Sequence, residues 1–232
     1  MRVYKGQSQL NHSEIQVVLT GLDDKSDNAK TGDMVHAWIM PLRVVPHVAV
    51  RTGSDESVCG ECPLRPSKIK EHNLANKGPA KKPCYVVKVH GPRATYQKHK
   101  GAAVELPTAI TKPLRLGAWG DPAAAPIALW RYLTKLAPSW TGYTHQWAKR
   151  KHVALKQYCM ASVDSPAQAR QAQRLGWRTF RTKHPHEPLL ANEITCPASA
   201  EAGKRSTCAK CGLCDGKTGP ADRRKNIAIN YH

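Results

Sequence analysis

Two hydrophobic periods divide the chain. Residues 14–20 are apolar at Ile15, Val17 and Leu19, the two-residue repeat of a strand. A polar turn follows at Asp23-Asp24-Lys25-Ser26-Asp27-Asn28. Residues 34–40 and 47–51 repeat the strand pattern, separated by Pro41 and Pro46, so the first 55 residues predict β structure. Residues 59–82, rich in Pro, Lys and Gly, predict a loop. Cys84 then opens the apolar run Tyr85-Val86-Val87-Lys88-Val89, a predicted strand, and 94–100 predicts a short helix.

From Pro113 onward strand and helix patterns alternate. Leu114–Trp119 predicts a strand that ends in Gly120-Asp121-Pro122. Asp121 has N-cap chemistry and Pro122 suits a first helical position. The helix expected to follow carries Ile127, Trp130, Leu133 and Leu136 along one face, with Pro126 limiting its first turn and Pro138 ending it. Residues 158–182 read as the clearest unit. Cys159 to Val163 is strand-like, Asp164-Ser165-Pro166 starts a helix, Gly176 stops it, and 177–181 is the next strand. Such a β-α-β crossover makes its two strands parallel. Short strands are expected at 193–195 and 227–230.

The expected architecture is therefore α/β. It is a partial or irregular (β/α) barrel, with an open doubly wound sheet as the alternative. Residues 1–55 form a β-rich segment packed on the body, 56–195 the barrel-like body, and 196–232 a cysteine-rich extension, all within one compact domain. Sites in such folds gather at the carboxyl ends of parallel strands.

Charge changes the picture. The 232 residues hold 36 Lys+Arg against 17 Asp+Glu, a formal net charge of +19. Between Pro63 and Leu116 the only acids are Glu71 and Glu105, and none lies between Asp121 and Asp164, where Lys149-Arg150-Lys151-His152 forms a basic run. Basic charge in patches predicts nucleic acid as partner, with an anionic protein as the alternative. No apolar stretch approaches the length of a membrane span. Met1-Arg2-Val3-Tyr4-Lys5 has no signal-type apolar run, so a reducing cytoplasm is expected, where clustered cysteines point to metal rather than disulfides. A single Phe argues against a large aromatic-lined ligand pocket.

Seven of the eight cysteines fall into two groups. Cys208-Ala-Lys-Cys211-Gly-Leu-Cys214 has two-residue spacings, and Cys196-Pro197 precedes it. This resembles bacterial ferredoxins, whose Cys-x2-Cys-x2-Cys run and remote Cys-Pro hold a [4Fe–4S] cluster. A Zn(Cys)4 site is the alternative, although it usually joins two Cys-x2-Cys pairs. The first group supplies three thiols, Cys59, Cys62 and Cys84. Its fourth ligand could be His90, His72, His232, Cys159 or Cys196, or the site stays open. An open three-cysteine cluster is how radical-SAM enzymes bind S-adenosylmethionine. Their Cys-x3-Cys-x2-Cys spacing is not matched here, and no Gly-Gly-Glu segment is present.

Several segments together carry a wider resemblance: Cys59-Gly-Glu-Cys62-Pro63, Cys84-Tyr85, Gly120-Asp121-Pro122, 142–147, 160–164, 176–181, Cys196-Pro197 and the terminal Cys triplet. The chain resembles a family of bacteriophage-encoded, cysteine-rich proteins. It is distantly similar to radical-SAM-like phage proteins that pair an early cysteine cluster with a cysteine-rich end. The resemblance implies expression in the cytoplasm of a bacterial host, and an iron–sulfur or zinc centre on a barrel-like α/β body.

Other residues have chemistry of their own. Asp121 and Asp164 are expected either as a carboxylate pair or as two helix caps. His145 suits a ligand, base or stacking role, or a structural one. Arg115, before Gly117 and Gly120, could hold an anionic ligand. The cofactor-binding set is therefore Arg115, Gly120, Asp121 and His145. Cys159 is expected to be a buried hydrophobe, and His184-Pro185-His186-Glu187 a plain loop. The leading expectation is an iron–sulfur protein with one or two [4Fe–4S] clusters and a nucleic-acid-binding surface. The alternatives are a radical-SAM-like enzyme acting on nucleic acid or nucleotide, and a zinc-stapled interaction protein.

Overall fold

The computed structural model describes residues 1–74, 84, 86 and 89–231, with 71–74 as backbone. Nine strands form one sheet: β1 (Arg2–Gln7), β2 (Glu14–Thr20), β3 (Val35–Pro41), β4 (Leu114–Trp119), β5 (Trp140–Thr144), β6 (Met160–Val163), β7 (Thr179–Lys183), β8 (Glu193–Thr195) and β9 (Asn226–Asn230). Their spatial order is β1-β2-β3-β4-β5-β6-β7-β9-β8. β1, β2 and β3 pair antiparallel, and every pairing from β3 to β8 is parallel. β3 thus belongs to both parts. β1, which carries an isolated bridge from Arg2 to Val104 on its outer side, and β8 are the two edges, so the sheet is open and does not close into a barrel. Apart from β8, the parallel strands follow chain order with no reversal, which a doubly wound sheet would require.

The helices are α1 (Pro46–Thr52), α2 (Glu56–Cys59), α3 (Pro66–Leu74), α4 (Gly91–Lys98), α5 (Ile127–Leu136), α6 (Pro166–Arg174) and α7 (Cys208–Cys211). The strand expected at 47–51 is α1. Pro46 opens the helix and Gly53, at φ 81°, closes it in the left-handed region. These end signals outweigh the brief alternation of His47-Val48-Ala49-Val50. The helix expected after Asp121 is split into a 3-10 turn at Pro122–Ala124 and α5. Pro126 keeps Ala125 extended and delays the α-helix to Ile127. α4 stands where a short helix was expected. The strand expected at 85–89 lies for the most part outside the described residues.

The β-α-β crossover at the centre folds as its pattern requires, with β6 and β7 parallel and α6 packed on them through buried Ala169 and Ala172. Ser165 is the cap. Its hydroxyl accepts from the Gln168 amide, and the Gln168 side chain returns to the Asp164 N–H (2.8 Å). Central strands read as continuous apolar runs because both sheet faces are covered. Val17, Val18, Leu19, Ile39, Leu114, Leu116, Ala161 and Val163 are almost fully buried, with Trp130 and Leu133 of α5 over them.

Candidate metal centre

With the strands parallel from β3 onward, their carboxyl ends share one side of the sheet, and a cavity of about 370 Å³ opens there. Cys59, Cys62 and Cys84 line it together with Cys196 and Cys208, so the two sequence-distant cysteine groups face one space. Arg115, Gly120, Asp121 and His145, the predicted cofactor residues, line it too.

The first group sits on the connection that follows β3. α2 delivers Cys59, and the Cys62 N–H donates to the Cys59 carbonyl (3.1 Å). The Cys84 N–H donates to the Leu64 carbonyl (2.9 Å), which returns the third thiol to the other two. A buried ion pair clamps this loop. Arg65 donates to both carboxylate oxygens of Asp55 (3.2 and 3.0 Å) and to the carbonyls of Gly60 and Gly53 (both 2.9 Å). Sequence reading missed Arg65 and Asp55, because a buried pair ten residues apart has no local signature. Burial raises the Cys59 thiol well above its usual range, and the neighbouring Cys62, Asp55 and Cys84 add to the rise.

Asp121 joins the end of β4 to the end of β5. Its carboxylate accepts from the Ala123 N–H (2.9 Å), the Thr144 hydroxyl (2.7 Å) and the His145 N–H (2.8 Å). Burial raises its pKa and these donors oppose the rise. Asp164 accepts from the Thr182 hydroxyl (2.7 Å) and stands 3.8 Å from His145 Nε2. The two carboxylates therefore both bear on His145, and of the two only Asp121 is a cap. His145 Nε2 makes no hydrogen bond of ordinary geometry, yet the Cys62 sulfur and Asp164 face it. Burial lowers the His145 pKa, but Cys62, then Asp164 and Asp121, overcome this and bring it to about 9. Gly120, at φ 85°, brings β4 against β3. A Cβ there would lie 2.5 Å from the Ile39 carbonyl. The Arg115 guanidinium lies 5.8 Å from the centroid of the Tyr143 ring.

The second group is gathered by the strand ends and by the loop at 28–32. The Cys196 N–H donates to Ala228, extending the pairing of β8 with β9. The Cys208 and Ala209 amides donate to Lys30 and Thr31, and the Cys214 carbonyl accepts from Gly142. Gly212, at φ 62°, ends α7 and turns the chain toward Cys214. Cys196, Cys208, Cys211 and Cys214 line one small pocket of about 20 Å³ beside Tyr143. Burial raises the Cys214 thiol to about 12; Tyr143 opposes this, and Cys196, Cys208 and Cys211 reinforce it.

Cys159 lies apart, fully buried before β6 and packed against Gly142. The 184–187 segment is a plain loop stitched by the Lys183 ammonium to three of its own carbonyls. His90 is exposed ahead of α4. His232 and the His72 side chain lie outside the described residues. One composition argument is overturned. The cavity is lined by Trp119, Tyr143, Phe180 and Tyr231, so few aromatics suffice when the fold collects them.

The donor sets suit a soft metal centre. Thiols that raise one another's pKa are stable as neighbouring thiolates only around a cation, and metal binding releases their protons. Among the described residues, no three His, Cys, Asp or Glu side chains are placed to hold a single metal ion. A cubane asks for a different arrangement, since each thiolate meets a different iron. Among the described residues no helix is long and apolar enough to cross a membrane. Comparison with protein-family models, with curated proteins and with solved structures returns no match.

Proposed function

We propose that this chain is an iron–sulfur enzyme of radical-SAM type, with an open [4Fe–4S] cluster on Cys59, Cys62 and Cys84 and a closed metal centre on Cys196, Cys208, Cys211 and Cys214. One observation carries the reading: the three thiols of the first group and two of the second, Cys196 and Cys208, face a ligand-sized cavity at the strand carboxyl ends. The chain-order run from β3 to β7 suits a partial barrel, and the three thiols follow its first parallel strand. The cavity favours this enzyme reading over a purely structural cluster protein, because a structural cluster needs no adjoining ligand space. Cys59, Cys62 and Cys84 would hold such a cluster, which would supply one electron to S-adenosylmethionine bound at its open position.

The chain's own residues divide the remaining work. Arg65 and Asp55 hold the thiol loop in place. His145 stands against Cys62, fixed through its amide by Asp121. Arg115 offers positive charge beside Tyr143 for an anionic group. Cysteines not joined in disulfides suit the reducing cytoplasm of a bacterial host, in keeping with the resemblance to phage proteins. The narrow pocket among the second group favours one other reading for that group alone, a Zn(Cys)4 staple.

Iron, sulfide and zinc are quantified on anaerobically prepared protein, and release of methionine from S-adenosylmethionine is assayed after reduction. The expected iron content is about eight atoms per chain, or about four with one zinc. Cys62→Ser removes about four iron atoms and abolishes cleavage. Cys211→Ser empties the second centre, and Cys159→Ser changes neither. Folded, oxygen-protected protein without iron, or iron-loaded protein that leaves S-adenosylmethionine intact, overturns the proposal.

A further inference from the structure

Segment 145–151 leads from the cavity to the surface in a few residues. His145 stands against Cys62 inside. The Gln146 side-chain Nε2 donates to the Cys59 carbonyl (3.4 Å), and the Lys149 ammonium pairs with Glu61 (2.9 Å), which lies between Cys59 and Cys62. Arg150 and Lys151 follow, both exposed. Lys151 donates to the Gln9 carbonyl, a neutral partner that leaves its charge uncancelled. Arg150 has no ion pair among the described residues. Two exposed cations thus follow directly on Lys149, the residue that meets the thiol loop, and the sequence holds no acid between Asp121 and Asp164.

Inside, the character reverses. Trp119, Tyr143, Phe180 and Tyr231 supply aromatic wall, with Tyr143 and Phe180 in contact at 4.5 Å between ring centroids. Lys30 and Arg115 are the cations beside the second cysteine group. Aromatic wall suits the planar faces of a base. Cations outside the cavity reach the phosphates flanking a ligand, which a free nucleotide held wholly inside does not possess.

Resting on the enzyme reading above, we infer that the substrate is a single-stranded polynucleotide, whose phosphates lie over Arg150 and Lys151 and which presents one nucleotide to the cavity. An extruded base among apolar side chains is the general solution when chemistry must reach a base. Commitment to a nucleic acid rather than an acidic protein rests on exposed cations adjoining the segment that enters the cavity at His145, paired with an aromatic interior.

The test uses the full-length, iron-loaded protein and a fluorescein-labelled single-stranded RNA of about 20 nucleotides, titrated by anisotropy at several salt concentrations. Arg150→Ala with Lys151→Ala is expected to weaken binding about tenfold, and to reduce the slope of log affinity against log salt by about 2. Arg170→Ala with Arg174→Ala removes equal charge from the exposed side of α6 and is expected to change affinity less than about twofold. Ultraviolet crosslinking of the wild-type complex is expected to mark peptides containing Trp119, Tyr143 or Phe180. Equal weakening by the two double variants overturns the inference, as does tighter binding of a polyglutamate competitor or crosslinking confined to peptides outside the cavity. Iron content and S-adenosylmethionine cleavage are read on the same preparations. Their loss with selective RNA binding intact sinks the enzyme reading alone; their retention with unselective binding sinks this one.

Discussion

Replacing Arg65 with alanine separates what charge does for the thiol loop from what metal does. Arg65 is 6% exposed and Asp55 2%, so the pair is shielded from solvent. Four hydrogen bonds leave the guanidinium, two to Asp55 and two to carbonyls at either end of the turn. Those contributions do not add. The larger effect is the Asp55 carboxylate left buried without a counter-charge, which sets the cost at about 3–5 kcal/mol. A domain of ordinary stability, about 5–15 kcal/mol, survives such a loss. Urea unfolding followed by tryptophan fluorescence, on metal-free and metal-loaded protein, reads the change. Asp55→Asn and the double variant complete a cycle whose coupling energy should reach about 2 kcal/mol. A loss below about 1 kcal/mol in metal-free protein, with no coupling, would refute the reasoning that a desolvated ion pair shapes this loop before metal arrives.

Two further outcomes follow from the geometry. Gly120→Ala places a methyl 2.5 Å from the Ile39 carbonyl at a left-handed φ; it should cost about 1–3 kcal/mol, seen as a fall in Tm of about 2–4 °C per kcal/mol, and an unchanged Tm contradicts the packing. His152 is lowered from 6.5 to about 4 by burial, with Lys151 and Lys149 assisting. The unfolded chain therefore binds the proton first as pH falls, so this contribution is complete above pH 6.5 and is lost toward pH 4, by no more than about 3 kcal/mol. His152→Gln should flatten the urea midpoint between those pH values, and an identical slope in both proteins rules the effect out.

Legibility in the sequence followed locality. β2, β4, β6 and α6 were readable because apolar period, cap and stop signals agree within a few residues. β5 was not, since Thr141, Gly142 and Thr144 lack an apolar run; Gly142 is small because Cys159 Sγ comes within 2.8 Å of where its Cβ would be. α1 differs from the expected strand because so short an apolar run, Val48-Ala49-Val50, fits either period. The ligand-like spacing of both cysteine groups was visible, but their meeting at one cavity was not. It depends on β3 being the first parallel strand and β8 pairing beyond β9, a property of sheet order that no spacing encodes. The aromatic walls follow the same rule, with the rings contributed by or just after four different strands.

The hydrogen bond from Cys84 to Leu64 has an implication for loop length. It closes the backbone between Leu64 and Cys84 just after Cys62, making a branch that is anchored at its start by Arg65. Lengthening such a branch is entropically cheap, about 0.6 kcal/mol per doubling. The closure constrains the carbonyl that docks Cys84, not the number of residues between the second and third cysteines. The fixed point is the docked carbonyl two residues past the second thiol.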